Sequence, residues 1–184
     1  MTREITTLRY VAFLRGINNI GCKTVKMYEL KRIVEAAGFQ NVKTILASGN
    51  IVFETTALEE VTIITKLEAQ LEKSLGYKVN IVLRTLDELH LLVKSNPFSK
   101  IKLTPQTKLL LTLLPEKPIT KLKIPYKSHD NDFIIMRIIG NEIYSVVYLL
   151  PGKRPYRIIS FLERQFGDQI TNRNWNTILK IVNV

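Results

Sequence analysis

The stretch that decides the fold of the first half is Thr7-Leu8-Arg9-Tyr10-Val11-Ala12-Phe13-Leu14-Arg15. It is short, rich in residues that favour β-strands, and followed at once by Gly16. Its apolar residues do not alternate with polar ones, which predicts a strand that is buried on both faces.

The residues that follow predict a β-α-β-β-α-β order, which is that of a ferredoxin-like plait. Apolar residues recur at helical spacing over 27–37, and Gly38 is expected to end that helix. Two short strands are expected over 42–47 and 51–54, because Ser48-Gly49-Asn50 between them favours a turn. A strand is expected over 79–83. The longest helix between these strands has an apolar stripe formed by Leu58, Val61, Ile64, Leu67, Leu71 and Leu75.

The second half repeats this order less clearly. After a helix over 86–93, strands are expected over 108–114, 132–138 and 142–149, and then a helix over 158–166, a short strand at Ile170 and a terminal helix over 175–182. Three prolines in 115–126 allow only a short or broken helix there. The sequence therefore predicts an α+β protein of two tandem ferredoxin-like α/β plaits. The first, with a connecting helix, occupies residues 1–98, and the second, with a terminal helix, occupies residues 99–184.

Charge is the first indication of function. The chain has 184 residues and a net charge of +11, of which +8 falls in residues 99–184. A positive half-molecule attracts polyanions such as nucleic acids, although a scattered surplus of charge also simply favours solubility. One cysteine excludes an intramolecular disulfide, and no apolar run approaches the length of a membrane span. We therefore expect a cytoplasmic protein with no membrane partner and no cofactor.

A candidate anion site follows from the predicted topology. The first two strands of a plait run parallel, so the loop over 15–23 and the turn over 48–50 should lie at the same end of the sheet, about 10 Å apart. Backbone N–H groups and a helix N-terminus would lie there beside basic and polar side chains. The candidate ligand-binding residues at this corner are Arg15, Gly16, Asn18, Lys23, Ser48, Gly49 and Asn50.

Two further groups lie late in the chain. Arg173-Asn174-Trp175-Asn176 combines a cation with an aromatic ring, which suits a carboxylate or phosphate and a stacked ring. An Asn N-cap and a packed tryptophan are the structural alternative for that group. Lys153, Arg154 and Arg157 form a basic cluster that suits contact with a nucleic-acid backbone, or a solvated loop.

Catalytic chemistry has little support in the sequence. The two histidines, His90 and His129, have no metal-ligating neighbours, and Cys22 has no partner for nucleophilic catalysis. Paired carboxylates lie on predicted helices beside lysines and are typical of solvated faces. The sequence therefore predicts no metal site and favours a binding protein over an enzyme.

Five ordered motifs resemble those of an uncharacterised, largely bacterial family, catalogued as domain of unknown function 1697. They are Leu14-Arg15-Gly16-Ile17-Asn18, Met27 with Leu30, Ser48-Gly49-Asn50-Ile51-Val52-Phe53, Asn96-Pro97-Phe98 and Arg173-Asn174-Trp175-Asn176-Thr177. The resemblance implies a soluble bacterial protein with a two-part α/β-plait fold, and it implies no activity. Ile20 stands where members often have glycine, and residues 151–157 lack the serine found there in many members.

Three functional hypotheses follow. The first is a non-catalytic protein that binds a polyanion, most simply nucleic acid, through its basic C-terminal half. The alternative is a small-molecule enzyme or sensor for a phosphorylated ligand, with a pocket formed by the 15–18 loop and the 48–50 turn. The third is a structural or interaction module that uses an exposed sheet edge or face.

Overall fold

The strand β1 (Thr7–Leu14) is buried on both faces from Tyr10 onward, which confirms the prediction for that part, whereas Thr7 and Arg9 at its start are exposed. In this computed structural model, which describes residues 7–18, 24–56, 58–151 and 157–184, Tyr10 to Leu14 are each at most 3% exposed. Tyr10, Ala12 and Leu14 pack into one hydrophobic core. Val11 and Phe13 lie on the opposite face and are equally inaccessible.

The first sheet has four strands, and all its neighbouring strands are antiparallel. The elements that follow β1 are α1 (Met27–Ala36), β2 (Gln40–Ile45), β3 (Asn50–Thr56), α2 (Glu60–Leu75), β4 (Ile81–Thr85) and α3 (Leu86–Lys94). The strand order is β2-β3-β1-β4. Because β1 and β2 both pair with β3, they run parallel to each other and end at the same end of the sheet.

The predicted stripe of α2 is confirmed in part, because Ile64, Leu67, Leu71 and Leu75 lie in or against the core. Ile63, Leu67 and Leu71 are its buried residues, whereas Val61 is 72% exposed and Leu58, ahead of the helix, is 40% exposed. The buried residues repeat at i and i+4, so the face that meets the core is centred on Ile63 rather than on Val61.

The second sheet has five strands. The elements that follow α3 are β5 (Thr107–Leu113), β6 (Tyr126–Lys127), β7 (Phe133–Ile139), β8 (Glu142–Tyr148), α4 (Arg157–Phe166), β9 (Thr171–Asn174) and α5 (Trp175–Ile181). The strand order is β6-β7-β8-β5-β9, again with antiparallel neighbours. The prediction of an α+β fold is confirmed, with two antiparallel sheets and five helices in the described part of the chain.

The region 115–126 contains no helix. It forms an irregular connection that ends in the two-residue strand β6. The prolines at 115, 118 and 125 explain this, because each lacks a backbone N–H and restricts the residue before it. The short or broken helix that the sequence allowed is therefore replaced by an edge strand.

The chain divides into two compact units, Met1–Leu91 with Lys180–Val184, and Leu92–Leu179. The last residues thus belong to the first unit, where two long-range hydrogen bonds hold them. His90 Nε2 donates to the Val182 carbonyl oxygen (2.9 Å), and Arg9 Nη2 donates to the Val184 oxygen (2.7 Å). No helix in the described ranges is long and apolar enough to cross a membrane.

One buried hydroxyl in the second core predicts a stabilising substitution. Ser145 is fully buried, and its Oγ has no hydrogen-bond partner within the described residues. A buried polar group without a partner carries an uncompensated desolvation cost. We expect Ser145→Ala to raise the free energy of unfolding by about 1 kcal/mol in urea denaturation.

Thr112 is the matched control for this prediction. It is also fully buried, but its Oγ1 donates to Asn172 Oδ1 at 2.6 Å. We expect Thr112→Val to lower the free energy of unfolding by about 1 kcal/mol, because the hydrogen bond is lost. A loss of stability in Ser145→Ala of the same size would show that the serine hydroxyl has a partner.

Candidate functional site

The loops that follow β1 and β2 meet at one end of the first sheet, as the predicted parallel strands require. Leu14 N donates to the Gly49 carbonyl oxygen (2.8 Å), and Asn18 Nδ2 donates to the Ala47 carbonyl oxygen (3.0 Å). The loops are therefore in direct contact, which is closer than the strand spacing alone suggests. We call residues 15–18 and 46–50 the β1–β2 corner.

Asn18 holds this corner together. Its backbone has a φ of +56°, and its side-chain amide is fully used. Nδ2 donates to the carbonyl oxygens of Val25 and Ala47 at 3.0 Å each, and Oδ1 accepts from Val25 N at 2.6 Å. The side chain thus joins the loop after β1 to the start of α1 and to the turn after β2. This arrangement favours a structural role over the predicted contact with a ligand.

Asn50 closes the turn between β2 and β3. It is fully buried, and its Nδ2 donates to the Ile45 carbonyl oxygen (2.7 Å) and to Ser48 Oγ (3.0 Å). Between them, Gly49 has a φ of +74° and lies close against Ile17. The three predicted residues of this turn are therefore brought together, and the contacts of Asn50 hold the backbone of the turn.

The remaining residues of the corner offer a limited anion site. Arg15 is half-buried, and its backbone N–H donates to the Asn80 carbonyl oxygen (2.9 Å). Gly16 is exposed, and Lys23 lies outside the described residues. At the start of α1, Lys26 N donates to Glu29 Oε2 (3.3 Å), so a carboxylate already lies where a helix N-terminus would attract an anion.

The late tryptophan motif is packed into the second unit. Trp175 is 8% exposed and meets Phe98 edge to face, with ring centroids 5.1 Å apart. Arg173 is 7% exposed, and its Nη1 donates to Thr171 Oγ1 (2.7 Å) and to the Asn172 carbonyl oxygen (2.8 Å).

Burial lowers the pKa of Arg173 to about 10, which leaves the guanidinium charged at neutral pH. Asn174 and Asn176 are exposed. The placement of Trp175 and Arg173 favours the structural alternative that the sequence left open.

Of the predicted basic cluster, Arg157 is ion-paired. Its Nη1 contacts Asp130 Oδ2 and lies 3.7 Å from Asp132 Oδ2. The charge of Arg157 is therefore balanced by carboxylates of the same unit. Lys153 and Arg154 lie outside the described residues.

A basic surface that the sequence did not predict lies at one end of the second sheet. β5 and β7 both run antiparallel to β8, so they begin at the same end. Lys108 is the second residue of β5, and Lys127, the last residue of β6, is opposite Ile134 near the start of β7. Lys100 and Lys102 lie in the segment that leads into β5. We call these four lysines the lysine edge.

Hydrogen bonds join the segments that carry this edge. Leu149 N donates to the Gln106 carbonyl oxygen (2.8 Å), and Tyr148 N donates to the Asp132 carbonyl oxygen (2.8 Å). The end of β8 is thus joined to the segment before β5 and to the turn before β7. Backbone hydrogen bonds therefore hold together the chain segments on either side of Lys108 and Lys127.

The charges of the lysine edge are not balanced by ion pairs. All four side chains are exposed, and within the described ranges none of them forms an ion pair. The nearby carboxylate of Asp132 accepts from Ser128 Oγ (2.7 Å) and faces Arg157, as Asp130 does. The sequence does indicate a basic surface here, because residues 100–127 contain seven lysines and one acidic residue, Glu116.

The described residues contain no group of three or more His, Cys, Asp or Glu side chains that could hold a metal ion. His129 is exposed beside Asp130. His90 is bound to the Val182 carbonyl oxygen and lies 3.9 Å from Asp87. The contacts of both histidines are thus with carboxylates and a backbone carbonyl.

The fold is similar to that of a conserved bacterial protein from Streptococcus pneumoniae. The two structures have a TM-score of 0.68 and 19% sequence identity, over 97% of this chain and 98% of that one. No curated protein matches the sequence. Residues 8–144, about three-quarters of the chain, match a family described as a protein of unknown function. The match takes in the β1–β2 corner and all four lysines of the lysine edge, and the chain therefore belongs to the DUF1697 family.

Proposed function

We propose that the protein binds a polyanion, most simply a nucleic acid, through the lysine edge of its second unit. The observation that carries the proposal is a pair of exposed, unpaired lysines, Lys108 and Lys127, at one end of one sheet, with Lys100 and Lys102 exposed in the segment that leads into it. Arg157 already engages the neighbouring carboxylates. Exposed lysines release counterions when they meet phosphates, which gives affinity without a deep pocket. Such a function requires no catalytic residues.

We also propose that each unit is a form of the ferredoxin-like plait and that the protein acts in the cytoplasm. The β2-β3-β1-β4 order supports the first part for the first unit. In the second unit β5, β7, β8 and β9 have the corresponding order, with β6 added at the edge in place of the first helix. The single cysteine is consistent with a reducing compartment.

The rival proposal, a phosphorylated small molecule in the β1–β2 corner, has weaker support. The amides of Asn18 and Asn50 hold backbone groups of the corner, and Glu29 accepts at the start of α1. A ligand there would depend on Arg15 and on backbone N–H groups. The absence of a thermal shift with phosphate or nucleotides would overturn the proposal of a small-molecule site in the corner and leave the lysine edge as the proposed binding surface.

The test is the salt-dependent binding of a labelled single-stranded RNA about 20 nucleotides long. We expect the double variant Lys108→Gln with Lys127→Gln to bind roughly tenfold more weakly near 0.1 M salt, and its salt slope to fall by about 1.4. Both changes follow from the loss of two phosphate contacts.

The matched control is Lys117→Gln with Lys121→Gln. It removes the same charge from the connection that leaves the other end of β5. We expect it to bind nearly as well as the wild type. An equal loss in both double variants would show attraction by net charge alone, and a wild type that does not bind at low salt would overturn the proposal.

A further inference from the structure

We infer that the polyanion is a single-stranded nucleic acid and that one of its bases stacks on Tyr148. This inference rests on the proposed function. It starts from the face of the second sheet on which Tyr148 lies. Val147 is packed in the core, so the next residue, Tyr148, lies on the opposite face. Tyr148 is directly opposite Thr107, which precedes Lys108 of the lysine edge.

Packing explains the other described aromatic residues of this unit. Six of them form two groups of ring contacts, and Phe166 packs against the core. The groups are Phe98 with Tyr144 and Trp175, and Tyr126 with Phe133 and Phe161. Tyr148 belongs to neither group. It is partly exposed, and within the described residues its side chain forms no hydrogen bond or ring contact.

Tyr148 shares its face with a partly exposed isoleucine, a fully buried valine and an exposed lysine. Ile134 pairs with Val146 on one side and with Lys127 on the other, so these three residues share the face of Tyr148. Ile134 is partly exposed and Lys127 is exposed. Lys127 lies two strands from Tyr148, which is about 10 Å across the sheet. Lys127 therefore shares the face of Tyr148, whereas Lys108, which pairs with Val147, lies on the opposite face at the same end of the sheet.

A partly exposed ring with one lysine on its own face, and a second lysine at the same end of the sheet, fits an unpaired base and its neighbouring phosphates. Stacking needs an exposed base face, which a duplex does not offer and a single strand does. A polyanion without bases would contact the lysines but gain nothing from Tyr148. Loss of the Tyr148 ring should therefore weaken the binding of single-stranded nucleic acids but not that of other polyanions.

The experiment compares four probes at one salt concentration. They are a single-stranded RNA about 20 nucleotides long, the DNA of the same sequence, the corresponding duplex, and heparin. We expect Tyr148→Leu to weaken single-strand binding about tenfold and to leave heparin binding and the salt slope unchanged. We expect Tyr148→Phe to bind like the wild type, because it keeps the ring. The RNA and DNA arms show which single strand is preferred.

The results of the two proposals are separable. Unchanged single-strand binding by Tyr148→Leu, with weaker binding by the Lys108 and Lys127 double variant, would overturn stacking and keep the lysine edge. Wild-type binding of the duplex as tight as that of the single strand would also overturn stacking. No effect of the lysine double variant on any probe would overturn the proposed function itself. Thermal unfolding of each variant checks that the fold is retained.

Discussion

Gly49→Ala is expected to lower the free energy of unfolding by about 3 kcal/mol, through steric contact and backbone strain together. A Cβ at this position would lie 2.3 Å from Ile17 Cγ2 and 3.0 Å from Leu14 Cβ. Ile17 is 3% exposed and Leu14 is 1% exposed, so neither can turn away into solvent. The φ of +74° adds strain for any residue with a side chain. Urea denaturation at neutral pH measures the loss.

Gly16→Ala is the matched control, because Gly16 has nearly the same backbone conformation without the contact. Its φ is +75°, and a Cβ added there would have none of the described residues within 4 Å. We expect Gly16→Ala to cost only about 1 kcal/mol, from backbone strain. The difference between the two variants measures the contact between the corner loops. Equal losses would mean that Ile17 moves aside without cost.

These two glycines show how far local sequence can predict the corner. Glycine beside asparagine predicts a turn at 48–50, because both residues tolerate positive φ. The structure confirms the turn, with Gly49 at φ +74°. The close approach of Ile17 to Gly49 depends on how two loops fold over the same sheet end, and no spacing along the chain carries that information.

Helices and strands were predictable where periodicity and helix-ending residues agree. The predicted helix over 27–37 corresponds to α1 (Met27–Ala36), and the strand over 142–149 corresponds to β8 (Glu142–Tyr148). The predicted α2 stripe was right at Leu67 and Leu71 but wrong at Val61, where only packing selects Ile63 instead. In 115–126 the prolines weakened the predicted helix, but they did not indicate the edge strand β6.

The candidate site was harder to predict than the fold because side-chain chemistry is ambiguous in a loop. An asparagine amide binds a ligand or a backbone group equally well, and Asn18 and Asn50 bind backbone groups. The charge balance indicated the basic half of the chain but not the lysine edge. That edge depends on strand register, which places Lys108 and Lys127 at one end of the sheet.

The β1–β2 corner and the lysine edge differ in whether their polar side chains are used by the fold. The polar side chains of the β1–β2 corner bind its own backbone, which makes the corner stable and leaves few donors for a ligand. The lysine edge rests on hydrogen-bonded segments but leaves its charges to solvent. We therefore propose the binding function at the lysine edge, where the charged groups are not used by the fold.

Asn18→Asp is expected to lower the free energy of unfolding by about 3 kcal/mol, although the two side chains have the same shape. Oδ1 would still accept from Val25 N, but the second carboxylate oxygen would face the carbonyl oxygens of Val25 and Ala47, each now 3.0 Å from Nδ2. Two hydrogen bonds are lost, and a charge is placed against two acceptors. Urea denaturation at neutral pH measures the effect.

Asn96→Asp is the control for the effect of adding a negative charge. A thermal-shift measurement with phosphate distinguishes a structural role of Asn18 from anion binding. Asn96 also has a positive φ (+44°), is exposed, and forms no side-chain hydrogen bond within the described chain. Its change to aspartate should lower the free energy of unfolding by less than about 0.5 kcal/mol.

If Asn18 bound an anion instead, the wild type would show a thermal shift with phosphate, and Asn18→Asp would keep its stability but lose that shift. We expect the reverse, a large loss of stability and no such shift in either protein, because the amide of Asn18 is already bound to the backbone.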